Sequence, residues 1–283
     1  FNFLTILFIS MNNRPINGLV LPGGGARGAY QVGVLKAIAS LTPKGSANPF
    51  PIISGTSAGA VNASVIAANA QSFDKAINKL DHVWGNFKSN QVYKTDNLTM
   101  LKSSLHWLIS IVLGGYPFGV PKSLLDNTPL QKLLESHIDF TNIQKNIDED
   151  LIRAIGITAA GYTSQCSTSF FQTSMKIDKW SRARRRGVRC NVTIDHLMGS
   201  LAIPMIFPQI NINGEYFGDG AMRQSTPLSP AIHLGADRIL VIGVRNQKIE
   251  SINKNPQSDY PSFAHISGYV LDTLFMDGLY SDL

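Results

Sequence analysis

Between Asn17 and Ala70 the chain twice makes the same move: a short apolar run, a glycine-flanked bend, then a helical stretch. The first instance is Asn17-Gly-Leu-Val-Leu21, the bend Pro22-Gly-Gly-Gly-Ala-Arg-Gly28, and a helix with Val32, Leu35, Ile38 and Ala39 on one face. The second is a strand from Pro49 to Ser54, the bend Gly55-Thr-Ser-Ala-Gly59, and an Ala/Val-rich stretch small enough to pack closely on a sheet. Strands that alternate with helices at this spacing must pair in parallel, because each helix carries the chain back to the sheet's starting edge. The rest of the chain keeps the pattern. Arg153 to Ala159, Phe170 to Thr173 and Arg238 to Val244 read as strands, the last of them buried.

Helices fill the gaps between them. Phe73, Ile77, Leu80, Trp84 and Phe87 form an amphipathic stripe, with Ser72 as N-cap and Asp74 in the first turn. Thr128-Pro129 opens another helix with proline at its first position and Leu130, Leu133 and Leu134 turned inward. Thr193 to Ile203 is a helix that Pro204 stops. The expected fold class is α/β, a three-layer α/β/α arrangement around a central, mostly parallel sheet.

No repeat or linker divides the chain, so residues 11–283 are read as a single domain. Residues 1–10 (FNFLTILFIS) are read as a segment upstream of a native start at Met11; a signal-peptide remnant or hydrophobic anchor is the other reading. They are far shorter than the ~20 residues that span a bilayer. Ile266, Val270, Leu271, Leu274 and Phe275 form an apolar helical stripe close to the last residue, and the native chain is expected to continue past Leu283.

A net charge of +6 points to an anionic partner, a membrane surface or a nucleic acid. Arg182, Arg184, Arg185, Arg186 and Arg189 crowd into one short loop beside Trp180, where a lipid leaflet would attract them or acidic neighbours would fold them back. No nucleic-acid recognition motif accompanies them. Leu105 to Leu113, followed by GGYPFGVP, suits a lid or interfacial patch, or else a buried helix. Cys166 and Cys190 give neither a disulfide framework nor metal-ligand spacing, in keeping with a reducing compartment.

Two bends stand where an α/β sheet places its chemistry. Gly23, Gly25 and Gly28 make G-x-G-x-x-G, the fingerprint of a dinucleotide site. That fingerprint expects an acidic residue about 20 positions on, and this sequence has no Asp or Glu before Asp74. The alternative use of such a loop is an oxyanion hole, with backbone N–H groups aimed at the charge that develops in acyl transfer. Gly55-Thr56-Ser57-Ala58-Gly59 is a G-x-S-x-G, the strand-to-helix elbow that exposes a nucleophilic serine. A serine also serves as a helix N-cap, so the motif alone leaves both readings open. A hydroxyl needs a base. Of the six histidines, His265 follows the last strand and is the best placed, whereas His82, His137, His196 and His233 read as structural. Asp219, inside Gly218-Asp219-Gly220, reads on its own either as a turn residue or as that base.

Three co-linear blocks, GGGARG, GTSAGA and DGA, with SLAIPMIFP before the last and PLSPAIHLGADRILVIGV after it, resemble the patatin-like phospholipases over roughly Ile16 to Val244. The resemblance implies a lipid acyl hydrolase using a Ser–Asp dyad without histidine. On that basis Ser57 is the nucleophile and Asp219 the base. Gly24 and Gly25 are the oxyanion donors, and Gly23, Arg27, Gly28, Gly55, Gly59 and Gly220 support the motifs. No metal or organic cofactor is implied. Asp219 would have to be desolvated to act as a base, with Ile206, Phe207, Tyr216 and Phe217 as the nearest apolar candidates. The implied partner is a phospholipid or other lipid ester at a membrane surface, with a protein activator as a further expectation and no nucleic acid. The implied setting is the cytoplasm with peripheral membrane association, or secretion as an effector. A latent membrane- or protein-binding module, and a nucleotide-binding enzyme, are the rival classes.

Overall fold

The computed structural model describes residues 15–94, 106, 123–224, 227–244, 260, 262, 265, 266, 268 and 269. The segment 1–10, the patch from Leu105 to Leu113 (His106 apart), the GGYPFGVP run, and Val270, Leu271, Leu274 and Phe275 lie outside the described residues.

The described chain runs β1 (Asn17–Leu21), a 3-10 turn (Gly25–Arg27), α1 (Gly28–Leu41), β2 (Ile52–Thr56), α2 (Ala58–Ala68), α3 (Phe73–Gly85) and a short α4 (Ser89–Val92). It continues through α5 (Thr128–His137), α6 (Thr141–Asp148), β3 (Ala154–Gly161), β4 (Ser167–Thr173), β5 (Ser181–Arg182), β6 (Arg185–Arg189) and α7 (Ile194–Leu201). It closes with β7 (Ile210–Ile212), β8 (Glu215–Asp219), a 3-10 turn (Gly220–Met222), α8 (Ser229–His233) and β9 (Arg238–Val241). The strands form one sheet in the order β5-β6-β4-β3-β2-β1-β9, with β8 on β3 and β7 on β8. The run β3-β2-β1-β9 is parallel as expected. The antiparallel additions are β4, which turns back along the other edge of β3, and the β7–β8 hairpin, which joins β3 past the end of β2.

Both faces of the central strands are covered, which is why these strands read as continuous apolar runs rather than as alternations. Leu19, Leu21, Ile53, Ile155 and Ile157 face the larger core, shared with α1, α2, α3, α5 and α6. Val20, Ile52 and Ala154 face the other side and pack with Phe171 and with Ala231 and Leu234 of the α8 region. The α2 helix lies buried on nearly every side, in keeping with its small residues. Among the described residues no helix is long and apolar enough to cross a membrane.

Several local expectations need correction. The run Arg238 to Val244 reads as buried in the sequence, yet among the described residues β9 is an edge strand, with Arg238 and Leu240 exposed and a neighbour on one side only. The arginine-rich stretch is a hairpin, β5–β6, and not a loop. Ser72 occupies the N-cap position of α3, but its hydroxyl donates to Asp74 Oδ1 at 2.6 Å and leaves the helix amides alone. Pro129 falls at the second position of α5, behind Thr128. Phe87 lies just past the end of α3. Both cysteines are free, and burial pushes the Cys190 thiol up to about 12.

Candidate active site

The site arises from a collision of two strand ends. β4 occupies one edge of β3 from Ala154 to Ala160, so β2 and β8 must share the other. β2 runs up that edge and stops at the pair Thr56–Thr158. β8 comes down it from the opposite direction and stops at the pair Asp219–Ala159. Nothing separates the two ends, so the next residue of each, Ser57 and Gly220, must leave the sheet.

Ser57 leaves it through a strained turn, with φ 53 and ψ −128. A non-glycine residue at positive φ costs roughly 1–3 kcal/mol and persists only where its surroundings over-determine it. Those surroundings are visible here. The Ser57 N–H donates to Ser200 Oγ at 2.9 Å, and Ser200 Oγ donates to the Thr158 carbonyl at 2.7 Å, tying the elbow to β3. On either side the chain is pressed tight. A Cβ on Gly55 would stand 2.5 Å from the Gly59 carbonyl oxygen, and one on Gly59 would land on the Leu21 carbonyl.

The turn aims Ser57 at the end of β8. Its hydroxyl donates to Asp219 Oδ2 at 2.6 Å, while Asp219 Oδ1 accepts the Ala221 N–H at 2.9 Å. Asp219 is fully buried. Burial pushes its carboxyl up to about 6, against the opposing pull of the Ser57 hydroxyl and the Ala221 amide. The cause is the strand end itself: Asp219 pairs with β3 on one side, and its own N–H is taken by the Ala202 carbonyl at 2.8 Å. Of the side chains expected to wrap it, Phe207 and Phe217 are buried, whereas Tyr216 is 56% exposed.

The glycine loop passes directly over the elbow. A Cβ on Gly23 would stand 3.0 Å from the Ser57 Cβ, so any side chain there would enter the space above the hydroxyl. Gly24 is hemmed in by the Val244 side chain, and Gly25, at φ 55, opens the 3-10 turn and borders a cavity together with Ser57. Amides in the first turn of a helix have no acceptor within it, and both this turn and α2 begin beside Ser57. Gly28 packs on Ala58 and Trp84, and Gly220 fits under Thr158 and Thr56. Arg27 is exposed and outside the cavity.

That cavity measures about 360 Å³ and runs from Ser57 into the helical layer between Val61, Trp84, Leu130, Leu134, Leu201 and Phe207. Lys88, exposed, is the one charged residue among the described residues along it. Among the described residues no group of His, Cys, Asp and Glu could hold a metal. Four of the histidines make local contacts. His82, His137 and His233 lie within hydrogen-bond distance of the side chain or carbonyl four residues from them in their own helices. His196 Nδ1 accepts the Thr193 N–H at 3.1 Å in a capping box. His265 is exposed, with its N–H on Ser262 Oγ.

Four polar residues behind the site escaped the sequence reading. Ser200 is one. Gln31 Nε2 donates to the carbonyls of Pro22 and Ile242, Asn62 Nδ2 donates to Gln31 Oε1 and the Gly28 carbonyl, and Trp84 Nε1 donates to Asn62 Oδ1, so the glycine loop is held from below. Gln224 accepts the Thr56 hydroxyl at 2.5 Å. For Gln31 and Asn62 a signal existed: each is a polar residue at a core-facing helical position.

The chain is similar to VipD from Legionella pneumophila, at 17% identity and a TM-score of 0.43 over 74% of this chain and 46% of that one. It is also similar to ExoU in complex with SpcU, from the type III secretion system of Pseudomonas aeruginosa, at 16% identity and a TM-score of 0.32 over 56% of this chain and 35% of that one. The chain thus spans less than half the length of either. Among curated proteins no sequence matches it. The family model described as patatin-like phospholipase matches residues 19–232, most of the length and all three motif blocks, and the chain belongs to that family.

Proposed function

We propose that the protein is a serine lipid acyl hydrolase of the phospholipase A or lysophospholipase type, cleaving carboxylic esters of membrane lipids with residues 11–283 acting as one catalytic domain. The observation that carries this reading is the 2.6 Å hydrogen bond from the strained Ser57 to the buried Asp219, at the head of an apolar cavity. A carboxylate with its pKa raised to about 6 is a far better base toward an alcohol than an exposed one, and is still ionised at neutral pH.

Asp219 Oδ2 takes the Ser57 proton as Oγ attacks the ester carbonyl. The resulting oxyanion is met by the Gly24 and Gly25 amides. The C–O bond to the leaving alcohol breaks, and the alcohol departs with the proton held on Asp219. Asp219 then deprotonates a water that attacks the acyl-serine, releasing the carboxylic acid and restoring the Ser57 hydroxyl. The apolar cavity suits the acyl chain, and Lys88 beside it favours a lipid with an anionic head over a neutral glyceride.

The test is mass spectrometry of products from a mixed phospholipid and neutral-lipid panel, run beside labelling with a fluorophosphonate probe. Wild type should release fatty acid and take the label. Ser57→Ala and Asp219→Asn should do neither while remaining folded. Activity surviving in Asp219→Asn and lost in His265→Ala would move the base to the histidine.

A further inference from the structure

The arginine hairpin lies on the same edge of the sheet as Ser57, and the strand registers show this. Thr56 pairs with Thr158, Thr158 with Ser169, and Ser169 with Gly187, so Gly187 stands on the row of Thr56 three strands away, about 14 Å to the side. β6 is antiparallel to β2, so going back from Gly187 through Arg186 and Arg185 to the Arg184 turn moves toward the edge where Ser57 stands. Arg185 pairs with Ser167, two residues past that row, about 7 Å further on, and the turn lies beyond it. The sheet's twist of roughly 20° per strand tilts the hairpin without moving it off this edge.

The hairpin's arginines divide by task. Arg186 pairs with Glu215 of β8, and Arg189 donates to the carbonyls of Thr173 and Met175, so these two hold the hairpin in place. Trp180, stacked between Phe171 and His233 with ring centroids at 4.8 and 4.7 Å, anchors its base. Arg182 and Arg184 are left exposed at the tip, and among the described residues neither has an acidic partner within ion-pair distance. The same edge carries exposed amphipathic side chains: Tyr162 just past β3, and Tyr216 on β8, whose carbonyl accepts the Tyr162 N–H at 3.0 Å. Met205, 55% exposed, sits on the loop that leads to Phe207 of the cavity wall.

We infer that this edge is a docking face for an anionic lipid bilayer, with Arg182 and Arg184 as its electrostatic contact and Tyr162, Tyr216 and Met205 as its interfacial side chains. The inference deepens the hydrolase reading by naming the face that brings Ser57 to its substrate. Unpaired cations beside rings with a polar tip match a charged leaflet over an apolar interior. A nucleic acid would use the arginines and leave the methionine without a role.

The test uses the full chain carrying Ser57→Ala, so that binding is read without hydrolysis. Its sedimentation with phosphatidylcholine vesicles is measured with and without phosphatidylserine. Phosphatidylserine should strengthen binding, added salt should reverse the gain, and Arg182→Gln/Arg184→Gln should weaken binding by about 30-fold. Arg182→Lys/Arg184→Lys should restore most of it, and on the active enzyme neither pair should change hydrolysis of a soluble short-chain ester. Binding that ignores phosphatidylserine or the Gln pair overturns the inference, as does tighter binding to an oligonucleotide or no binding to vesicles at all. Failure of the soluble ester to react in wild type would instead strike the hydrolase reading, and leave the binding result standing.

Discussion

Thr56 and Asp219 stand opposite consecutive residues of β3, Thr158 and Ala159, having come to them along one edge from opposite directions. The Ser57–Asp219 contact is a consequence of that abutment, because two strand ends with no residue between them leave their next side chains in one small volume. Gly220 is the residue that permits it. A Cβ there would strike the Thr158 carbonyl and come within 2.9 Å of Thr56 Cγ2.

Gly220→Ala should therefore wedge the two strand ends apart. We expect a stability loss of about 1–3 kcal/mol in chemical denaturation. Ester hydrolysis should fall about 100-fold or more, since a displacement near 1 Å at a reacting pair costs that much. Gly33→Ala is the control: it lies exposed in α1 with nothing within 4 Å of its added Cβ, and should keep activity and gain up to about 1 kcal/mol. Full activity in Gly220→Ala would show that the abutment does not set the dyad.

The buried carboxylate sets a pH profile. With Asp219 raised to about 6, the fraction able to accept a proton falls about tenfold per pH unit below that value. kcat/KM for a soluble short-chain ester should rise through an apparent pKa near 6 and level off above it. A profile flat from pH 4 to 8 would remove Asp219 from the base role.

The same group acts on stability with a definite sign. A carboxyl whose folded pKa lies above its unfolded value favours folding only when protonated, so its contribution is complete below pH 3.8 and is lost as pH rises through about 6. Ionised Asp219 thus costs the fold up to about 3 kcal/mol at pH 8. Asp219→Asn should be inactive yet more resistant to denaturant than wild type at pH 8, with the difference shrinking toward pH 4. An Asn variant less stable at pH 8 than at pH 4, relative to wild type, would reverse the sign.

How far the sequence discloses all this depends on what each feature is made of. β1, β2 and their helices were legible because strand, glycine bend and helix follow one another within a few residues, and local chemistry decides them. Ser57 was legible for the same reason. The contact of Asp219 with Ser57 was not legible from the aspartate's own surroundings, since Gly-Asp-Gly describes a turn as well as it describes a strand end. Its partner is 162 residues away, and only the antiparallel return of β8 joins them. The half-open β9 was missed because an apolar run does not record whether a strand has one neighbour or two. Ser200 was missed because a serine in a short helix carries no local sign that it will hold the Ser57 amide.

The elbow's strain is itself measurable. At φ 53 and ψ −128, an alanine suffers what serine suffers, while glycine does not. Both Ser57→Ala and Ser57→Gly lose the hydroxyl, so the hydrogen bond to Asp219 cancels between them. Ser57→Gly should be the more stable of the two by about 1 kcal/mol, even after glycine's greater freedom in the unfolded chain is counted. Equal stability, or a more stable alanine, would mean that the turn holds no strain.

The cavity should read acyl length. Val61 lies one helical turn beyond the elbow, with its N–H 3.4 Å from the Ser57 carbonyl, and it borders the cavity just past Ser57. Val61→Trp should leave room for the ester and its first carbons and close the depth behind them. Each methylene denied burial forfeits about 0.8 kcal/mol, so excluding about four of them lowers kcat/KM about 200-fold for a long-chain ester. Acetyl and butyryl esters should stay within about threefold of wild type. A rate that falls equally at every chain length would mean that the tryptophan disturbs the elbow. A long-chain rate left unchanged would mean that the acyl chain lies elsewhere, and the cavity would lose its assignment.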